Sequence, residues 1–407
     1  MIKLFLLAIW LQGQATDSTF GRFAQHQDSL FMSAYYAKDT TGYNRLMTQF
    51  LDRYDRLDKD EKANFKGYYA GALYNLSCTF ALVGSKTRAL DCLADAVHAG
   101  YSDYGHIKVD GDLVPLHDEP RFKDILAQLR TVADYRYILT RAEAYNTQDH
   151  RPLPPFTYAP STDPHLVSLR QGLELDSIAG TGNDISKVIN LLHWIHNLVP
   201  HDGSHPNPEV KNAMALIQVC KRDNRGLNCR GLATVLNECY LSMGFKSRFV
   251  TCLPKDSLHT DPDCHVINMV FLPSMHQWVW MDPTNDAYVM DEKGRLLDLR
   301  EVRKRVIRDE PLIVNPDANW NHRSSTLKED YLYNYMAKNL YMLECPVYSG
   351  YDIETQTPGK TLTYIKLLPL DYFKQTPDRT SNDLPKQQVT YITYLTNNPD
   401  TFWANPE

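Results

Sequence analysis

The sequence predicts two folded parts, an all-α domain followed by an α+β domain with an antiparallel sheet. Apolar and aromatic residues recur at helical spacing through residues 17–146, which predicts packed helices. Several prolines then fall within residues 147–164 and indicate an extended linker, because proline cannot continue a helix. Helical and strand-like patterns occur together beyond it. We assign the helical domain to residues 16–147, the linker to 148–164, and the α+β domain, which ends in a strand-rich extension, to 165–407.

Length and composition are those of a folded protein. The chain has 407 residues, enough for two or three domains that each bury a core. Hydrophobic residues make up 43% of the chain and charged residues 23%, which argues against a disordered chain. The net charge of −6 is spread without blocks. It therefore gives no basis for binding nucleic acid or an anionic membrane, and we expect neither partner.

The first fifteen residues have the pattern of a secretory signal peptide. Residues 1–3 give a basic start, residues 4–11 are an apolar run, and Gly13-Gln14-Ala15 supplies small residues for a cleavage site. We expect cleavage near Thr16 and export to the periplasm or the extracellular space. The alternative is an apolar first helix. No other stretch is long enough to span a membrane, so we expect no membrane span.

One helical hairpin is predicted within the first domain. Its residues alternate between small and large at the spacing that packs two helices together: Leu73-x-x-Leu76-Ser77-x-x-Phe80, then Ala89-x-x-x-Leu93-x-x-Ala96. This pattern resembles one tetratricopeptide repeat, without a clear second copy. The resemblance implies a tetratricopeptide-like domain that could bind a protein partner.

Cys229 has a local sequence suited to a nucleophile. Asn228 before it is a favoured N-cap residue, and Gly244 is placed to end the helix that follows. A thiol in the first turn of a helix has a lowered pKa, and the free N–H groups of that turn can hold an oxyanion. The alternative is a small buried hydrophobic residue. The helix is predicted from apolar residues at helical spacing: Leu232, Val235, Leu236, Cys239 and Met243.

His265 and Asp282 could act as the base and the orienting acid. Residues 265–272 and 277–283 are predicted to be two strands joined by a short turn around Pro273-Ser274. A loop of two or four residues would place His265 and Asp282 on one face of the hairpin, and a loop of three residues would separate them. The alternatives are a polar residue at a strand end for His265 and an Asp-Pro turn for Asp282.

Four patterns follow one another within residues 165–310. They are a helix ending in Trp194-Ile195-His196, the helix headed by Cys229, the strand that begins with His265, and a Trp-x-Trp-x-Asp-Pro strand at residues 278–283. Together they resemble the transglutaminase-like superfamily, a branch of the papain-like cysteine enzymes. The resemblance implies a catalytic triad of Cys229, His265 and Asp282 that attacks amide carbonyls.

Two further residues bear on this resemblance. The family often supplies an oxyanion donor from an indole N–H, and Trp194 is the upstream candidate for it. The alternative is a core residue, because the helix around Trp194 has apolar residues at positions 188, 191, 192 and 195. Many family members have a small or aromatic residue after the cysteine, where this chain has Arg230.

The remaining cysteines suggest no metal site and leave one disulfide open. The chain has eight cysteines, too few for a disulfide scaffold. Cys252 and Cys264 flank a polar loop, so they could form a bridge or remain two reduced thiols. No Cys-x-x-Cys pair occurs, and adjacent Cys264 and His265 point to opposite faces of a strand. We expect neither a metal nor a cofactor.

The sequence thus supports two functions from different classes. The first is an exported thiol enzyme that attacks amide bonds of a peptide or protein substrate and releases the product by hydrolysis. The alternative is a non-catalytic adaptor that binds a partner through its helical domain, with a degenerate transglutaminase-like scaffold. A thiol, a base and an orienting acid in order favour the enzyme, because an adaptor needs none of the three.

Overall fold

The computed structural model describes residues 19–142, 144–255 and 263–406. The chain forms two compact units that divide between Tyr137 and Ile138. The predicted signal peptide lies outside the described residues. Among the helices that are described, none combines the length and the apolar character needed to cross a membrane.

The first unit is helical. Aspartates cap several of its helices, because their side chains accept hydrogen bonds from free N–H groups of the first turn; Asp39, Asp58 and Asp103 are examples. A 3₁₀ turn, Gly111–Leu116, follows the sixth helix. The helices are α1 (Thr19–Tyr36), α2 (Thr40–Tyr54), α3 (Lys59–Asn64), α4 (Lys66–Leu82), α5 (Lys86–His98), α6 (Tyr104–Val109), α7 (Pro120–Ala133) and α8 (Tyr135–Thr140), the last of which crosses the division.

Helices α4 and α5 form the predicted helical hairpin. Gly84, with φ of 78°, ends α4 in the left-handed region, which glycine adopts without strain. The residues that carried the pattern are in the core of this unit: Leu73, Ala89, Leu93 and Ala96 are buried. The small residues allow close approach of the two helices, and the large ones fill the space between them.

The second unit combines helices with a seven-stranded sheet, so the predicted α+β class is confirmed. A π-helical segment, Glu329–Met336, precedes its short helix α15. The helices are α9 (Pro164–Gly172), α10 (Leu175–Ala179), α11 (Asp184–Leu198), α12 (Ala213–Asp223), α13 (Cys229–Ser242), α14 (Leu299–Arg308), α15 (Ala337–Asn339) and α16 (Pro399–Phe402).

The main sheet has the order β12-β13-β11-β9-β2-β3-β4. Its strands are β2 (Ser247–Leu253), β3 (His265–Leu272), β4 (Gln277–Met281), β9 (Met342–Pro346), β11 (Thr361–Leu367), β12 (Arg379–Leu384) and β13 (Val389–Thr396). Two-stranded pairs are formed by β1 (Thr157–Tyr158) with β10 (Tyr348–Ser349), β5 (Val289–Met290) with β6 (Ile313–Val314), and β7 (Asn319–Trp320) with β8 (Ser324–Ser325).

The sheet differs from the prediction in one pairing. All neighbours are antiparallel, as predicted, except β11 and β13, which are parallel. Strand β12 lies between them in sequence and pairs antiparallel with β13, so β13 returns in the direction of β11. The strand-like runs of the C-terminal tail do extend the sheet. Periodicity could predict these strands but not their direction, which depends on the connection between them.

Part of the predicted Pro-rich linker pairs within the second unit. Strand β1, at residues 157–158, runs parallel to β10. Around the predicted start of the linker, the Asn146 N–H donates to the Asn397 carbonyl at 3.0 Å, and the Asp149 carboxylate accepts from the Asn397 N–H at 2.7 Å. The predicted domain bounds stay a prediction, and the compact units divide about ten residues before the predicted start of the linker.

Helix α13 lies in the core of the second unit. Its apolar residues share a buried cluster with Val270 on β3 and Val279 on β4. Strands β2 and β3 are buried along their whole length, which explains why their sequences show little alternation. Cys229 is the first residue of α13 and His265 is the first residue of β3. Both therefore lie at element ends, where a site can form beside a rigid core.

The segment before α13 lies tightly against residues 200–202. Leu227 N–H donates to the Pro200 carbonyl at 3.1 Å, and Asp202 N–H donates to the Leu227 carbonyl at 2.7 Å. These bonds pair His201 with Leu227 in a parallel bridge. A Cβ added at Gly226 would lie 2.2 Å from the Pro200 carbonyl oxygen. Gly226 is therefore required by the close approach of two backbone segments.

We predict that Gly226→Ala destabilises the protein by roughly 1–3 kcal/mol, because the backbone carbonyl it would meet cannot move without disturbing the bridge. The free energy of unfolding in urea checks this. Gly172→Ala is the matched control, since its Cβ would make an ordinary contact of 3.8 Å with Met214. Its unfolding free energy should stay within about 0.5 kcal/mol of the wild type. Equal stability of Gly226→Ala and the wild type would contradict the prediction.

Candidate active site

Cys229 lies in the first turn of α13, as predicted. The Asn228 side chain caps this helix by accepting a hydrogen bond from the Gly231 N–H at 3.1 Å. The Asn207 amide donates to the same Asn228 oxygen at 2.8 Å, which holds the cap in place. The half-buried thiol therefore lies near unpaired N–H groups and the positive end of the helix dipole.

The surroundings of Cys229 favour the thiolate. Burial alone would raise the pKa of the thiol, but hydrogen bonds with the imidazoles of His201 and His265 outweigh burial and lower the pKa to about 6. The Cys229 S–H can donate to the Cys264 carbonyl oxygen, 3.9 Å from Sγ, a contact that favours the neutral thiol and that the imidazoles outweigh. A thiolate at neutral pH is the form that attacks carbonyl carbons.

His265 and Asp282 lie on one face of the sheet because the loop between their strands holds four residues. Leu272 pairs with Gln277 across the hairpin, which leaves residues 273–276 as the loop. In the same register, the position opposite Asp282 is Ile267, so His265 is its diagonal neighbour. The loop has the even number of residues that places His265 and Asp282 on the same face of the hairpin. The two side chains are almost completely buried, and His265 Nε2 lies 2.7 Å from Asp282 Oδ2.

The Asp282 carboxylate is fully hydrogen-bonded. Its Oδ2 accepts from the Tyr331 hydroxyl at 2.6 Å and from the Asn285 amide at 3.0 Å, in addition to His265. Its Oδ1 accepts from the Thr284 N–H at 2.9 Å. Burial alone would raise the pKa of this carboxyl, but the charge and hydrogen bond of His265 and the other donors hold it below its ordinary value. Asp282 therefore stays charged and orients the imidazole.

His265 is held as an imidazolium. Burial alone would lower its pKa, but the charge of Asp282, its hydrogen bond and the thiol of Cys229 together raise the pKa well above its ordinary value. Because Nε2 donates to Asp282, Nδ1 is the nitrogen that faces the thiol side of the ring. The Tyr335 hydroxyl lies 3.4 Å from Nδ1 and 3.5 Å from the Cys264 carbonyl oxygen.

Two tyrosines on one π-helical segment enclose the pair. Tyr331 and Tyr335 lie four residues apart within Glu329–Met336, so Tyr331 reaches Asp282 and Tyr335 reaches His265. The Trp280 indole N–H donates to the Tyr331 hydroxyl at 3.2 Å. Segments of π-helix are rare and occur often at functional sites. No pattern in the sequence indicates that this segment faces the site.

His201 is a site residue that the sequence analysis missed. It lies in the loop after α11. Its imidazole is one of the groups that lower the pKa of the Cys229 thiol. Its Nδ1 lies 3.4 Å from the Trp320 indole nitrogen. One of several histidines in a polar loop carries no signal by itself. Its place beside Cys229 depends on the bridge between His201 and Leu227.

Trp194 packs against the apolar core of the second unit. A core position is the alternative that the sequence left open for Trp194. Its predicted role as an oxyanion donor stays a prediction. Arg230 is half-buried and turns to Glu354, with Nη1 2.5 Å from Oε1, while its Nη2 donates to the Thr251 hydroxyl at 2.8 Å. Its charge is therefore paired within the protein.

The other cysteines and acidic clusters do not add to the site. Cys252 and Cys264 are both free thiols, which is one of the two alternatives that the sequence left open. Among the described residues, two groups offer ligand atoms within 4.8 Å of one another. Both have carboxylates already engaged in hydrogen bonds within the protein, and we assign a metal to neither. The groups are Cys78, Asp110 and Asp112, and His193, Asp286 and Asp317.

One comparison with known proteins, a family model, supports the resemblance found in the sequence. The family model of the transglutaminase-like superfamily matches residues 172–283, a range that includes Trp194, Cys229, His265 and Asp282. No curated protein matches the chain. A solved structure, named "a Putative Cysteine Protease from Cytophaga hutchinsonii", is 18% identical with a TM-score of 0.24, and the match covers 35% of this chain and 49% of that one. This chain thus spans about half of that protein, and a TM-score so low carries no argument. The family model confirms the resemblance found in the sequence: residues 172–283 are a transglutaminase-like domain.

Proposed function

We propose that this protein is an exported thiol enzyme that hydrolyses amide bonds of a peptide or protein substrate. Cys229 is the nucleophile, His265 is the acid and base, and Asp282 orients His265. The observation that carries the proposal is the buried hydrogen bond of 2.7 Å between His265 Nε2 and Asp282 Oδ2, with the other side of the imidazole turned to a thiol of lowered pKa. The match to the transglutaminase-like family model supports the same chemistry.

The first half of the reaction forms a thioester. The Cys229 thiolate attacks the amide carbonyl carbon, and the carbonyl oxygen takes the negative charge. The free N–H groups in the first turn of α13 can stabilise that oxyanion. As the C–N bond breaks, the His265 imidazolium gives its proton to the leaving amine, which departs neutral. The acyl group remains on the Cys229 sulfur.

The second half of the reaction releases the acid. Neutral His265 takes a proton from water, and the resulting hydroxide attacks the thioester carbonyl. The C–S bond breaks, the thiolate of Cys229 is restored beside the His265 imidazolium, and the product leaves as a carboxylic acid. Asp282 keeps its charge throughout and stabilises the imidazolium form.

We favour water over an amine as the acceptor because the site borders an exposed loop. Cys229 is half-buried, whereas residues 203–206, which follow His201 in the same loop, are exposed. Transfer to an amine requires water to be kept from the acyl-enzyme. An exposed polar loop beside the half-buried thiol gives water a route to the acyl-enzyme and therefore supports hydrolysis.

We predict that Cys229→Ala abolishes peptide cleavage and leaves the fold intact, because alanine is well tolerated at the start of a helix. Asp282→Asn should lower the turnover number by about 10³-fold or more, because an amide favours the wrong imidazole tautomer. Incubation with a proteome-derived peptide library, followed by mass spectrometry of the new termini, measures both effects.

Cys92→Ala is the matched control for the loss of a thiol. Cys92 lies on α5 in the other compact unit, and burial raises its pKa to about 11. This variant should cleave the library as the wild type does. Cleavage at the wild-type rate by Cys229→Ala would exclude the mechanism.

We predict that acid release outpaces transfer to an amine. A glutamine-containing peptide is offered with a fluorescent primary amine, and the products are separated into free acid and amine conjugate. More acid than conjugate is expected at equal conversion. If the conjugate dominates, the protein is a transglutaminase rather than a hydrolase.

We also predict that the mature protein begins near Thr16 and is found outside the cytoplasm. The motivation is the basic start, the apolar run and the small residues of Gly13-Gln14-Ala15. N-terminal sequencing of the protein from its native host, after cell fractionation, measures this. An intact Met1 on protein from the cytoplasmic fraction would rule out export.

A further inference from the structure

Two imidazoles lower the pKa of the Cys229 thiol, and the proposed mechanism uses one of them. His265 is paired with Asp282 and exchanges protons with the substrate. His201 acts on the same thiol from a different element, the loop after α11, which a parallel bridge to Leu227 places beside the start of α13. Its partner is a tryptophan rather than a carboxylate. The two histidines therefore differ in what their environment allows them to do.

The main chain of His201 is fixed on both sides. Its bridge to Leu227 ties it to the segment that leads into α13, two residues before Cys229. On the other side, the Asn321 side chain pairs with the His201 backbone: Asn321 Oδ1 accepts from the His201 N–H at 2.7 Å, and Asn321 Nδ2 donates to the His201 carbonyl at 2.9 Å. His201 therefore has little freedom to move away from the thiol.

Trp320 determines which nitrogen of His201 carries the proton. An indole N–H can only donate, so His201 Nδ1, which lies 3.4 Å from the Trp320 nitrogen, must accept. A neutral imidazole that accepts at Nδ1 carries its proton on Nε2. Nε2 is thus the nitrogen left to hydrogen-bond the sulfur, and it can donate but cannot take a proton from the thiol.

The hairpin that presents these two residues is built at a conformational cost. Asn321 and His322 both have positive φ, 52° and 57°, in the turn between β7 and β8. Two consecutive residues in this region, neither of them glycine, cost on the order of 1 kcal/mol each. The turn gives Asn321 and Trp320 the positions from which they reach His201.

The same hairpin is anchored to the loop that follows Asp282. The buried His196 imidazole bridges the Pro283 carbonyl oxygen, 3.1 Å from its Nδ1, and Asn319 Oδ1, 3.0 Å from its Nε2. The Asn319 N–H donates to the Asn285 carbonyl at 2.9 Å. The hairpin that holds His201 is thus hydrogen-bonded to the loop that follows Asp282.

We propose that His201 is a second catalytic residue, which donates a hydrogen bond from Nε2 to the sulfur of Cys229 and keeps it as a thiolate without exchanging its proton. Trp320 acts as a positioning residue that fixes the donor tautomer. This proposal rests on the proposed function for its role in turnover. The hydrogen bond from His201 Nε2 to the sulfur is proposed for the protein without substrate, so it can be tested apart from turnover.

The other titratable groups around the sulfur do not supply this stabilisation. Burial is the chief cause that raises the pKa values of Cys264, Cys252 and Tyr335, so all three stay neutral near pH 7. The influences that lower the pKa of Cys229 come from His201 and His265, each through hydrogen bonding and through charge. Loss of the His201 side chain should therefore raise the pKa of the Cys229 thiol.

The test is the rate at which iodoacetamide alkylates Cys229 as a function of pH, with mass spectrometry to identify the labelled residue. His201→Ala should raise the midpoint of this profile by about one pH unit or more, because it removes a hydrogen bond to a charged group. His201→Gln keeps an N–H donor and should recover at least half of that shift. His205→Ala, an exposed histidine of the same loop, is the control and should leave the midpoint unchanged.

An unchanged or lowered midpoint in His201→Ala would overturn the proposal. If that variant does not fold, histidine-selective ¹⁵N NMR of the wild type decides, with His201→Gln to assign the resonance. The expected result is protonated Nε2 and unprotonated Nδ1 at neutral pH, with a mixture of tautomers in Trp320→Phe. Protonated Nδ1 in the wild type would refute the assignment.

The alkylation needs no substrate, so this test is separate from that of the proposed function. A wild type that cleaves no peptide but shows the expected shift in His201→Ala would refute the proposed function and leave the donor assignment intact. A wild type that cleaves peptides, with no shift in His201→Ala, would refute the donor assignment alone.

Discussion

The site depends on the buried hydrogen bond between His265 Nε2 and Asp282 Oδ2. A buried charge is costly unless it is paired and fully hydrogen-bonded, and this constraint accounts for much of the surrounding structure. Tyr331, Asn285 and the N–H of Thr284 complete the coordination of the carboxylate. The pair can therefore stay ionised inside the protein, where the low dielectric strengthens its influence on the thiol.

The same constraint links distant parts of the sequence. The loop after Asp282 is held through His196 and Asn319 to a hairpin, and that hairpin holds His201 beside Cys229. The thiol is thus approached from the sheet by one imidazole and from a loop by another. The first exchanges protons in the proposed reaction, and the second is suited to hydrogen bonding without proton exchange. Their different partners, a carboxylate and an indole, account for the difference.

Local patterns predicted the features that are encoded within a few residues. The cap at Asn228, the helix from Cys229 and the two strands of the hairpin followed from capping and periodicity. The sequence could state that an even loop was needed, but the register had to come from the structure. It could not predict Tyr331 or His201, because their contacts with the site are made only when separate elements pack. The parallel pairing of β11 and β13 was missed for the same reason, since strand direction depends on the path of the chain.

Cys229 is a thiolate at neutral pH because of the imidazoles beside it. The most direct measurement is a pH titration of the ultraviolet absorbance of the thiolate, taken as the difference between the wild type and Cys229→Ala. We expect a midpoint near pH 6, because His201 and His265 lower the pKa of this thiol to about 6. A midpoint near 9, the ordinary pKa of a cysteine thiol, would contradict it.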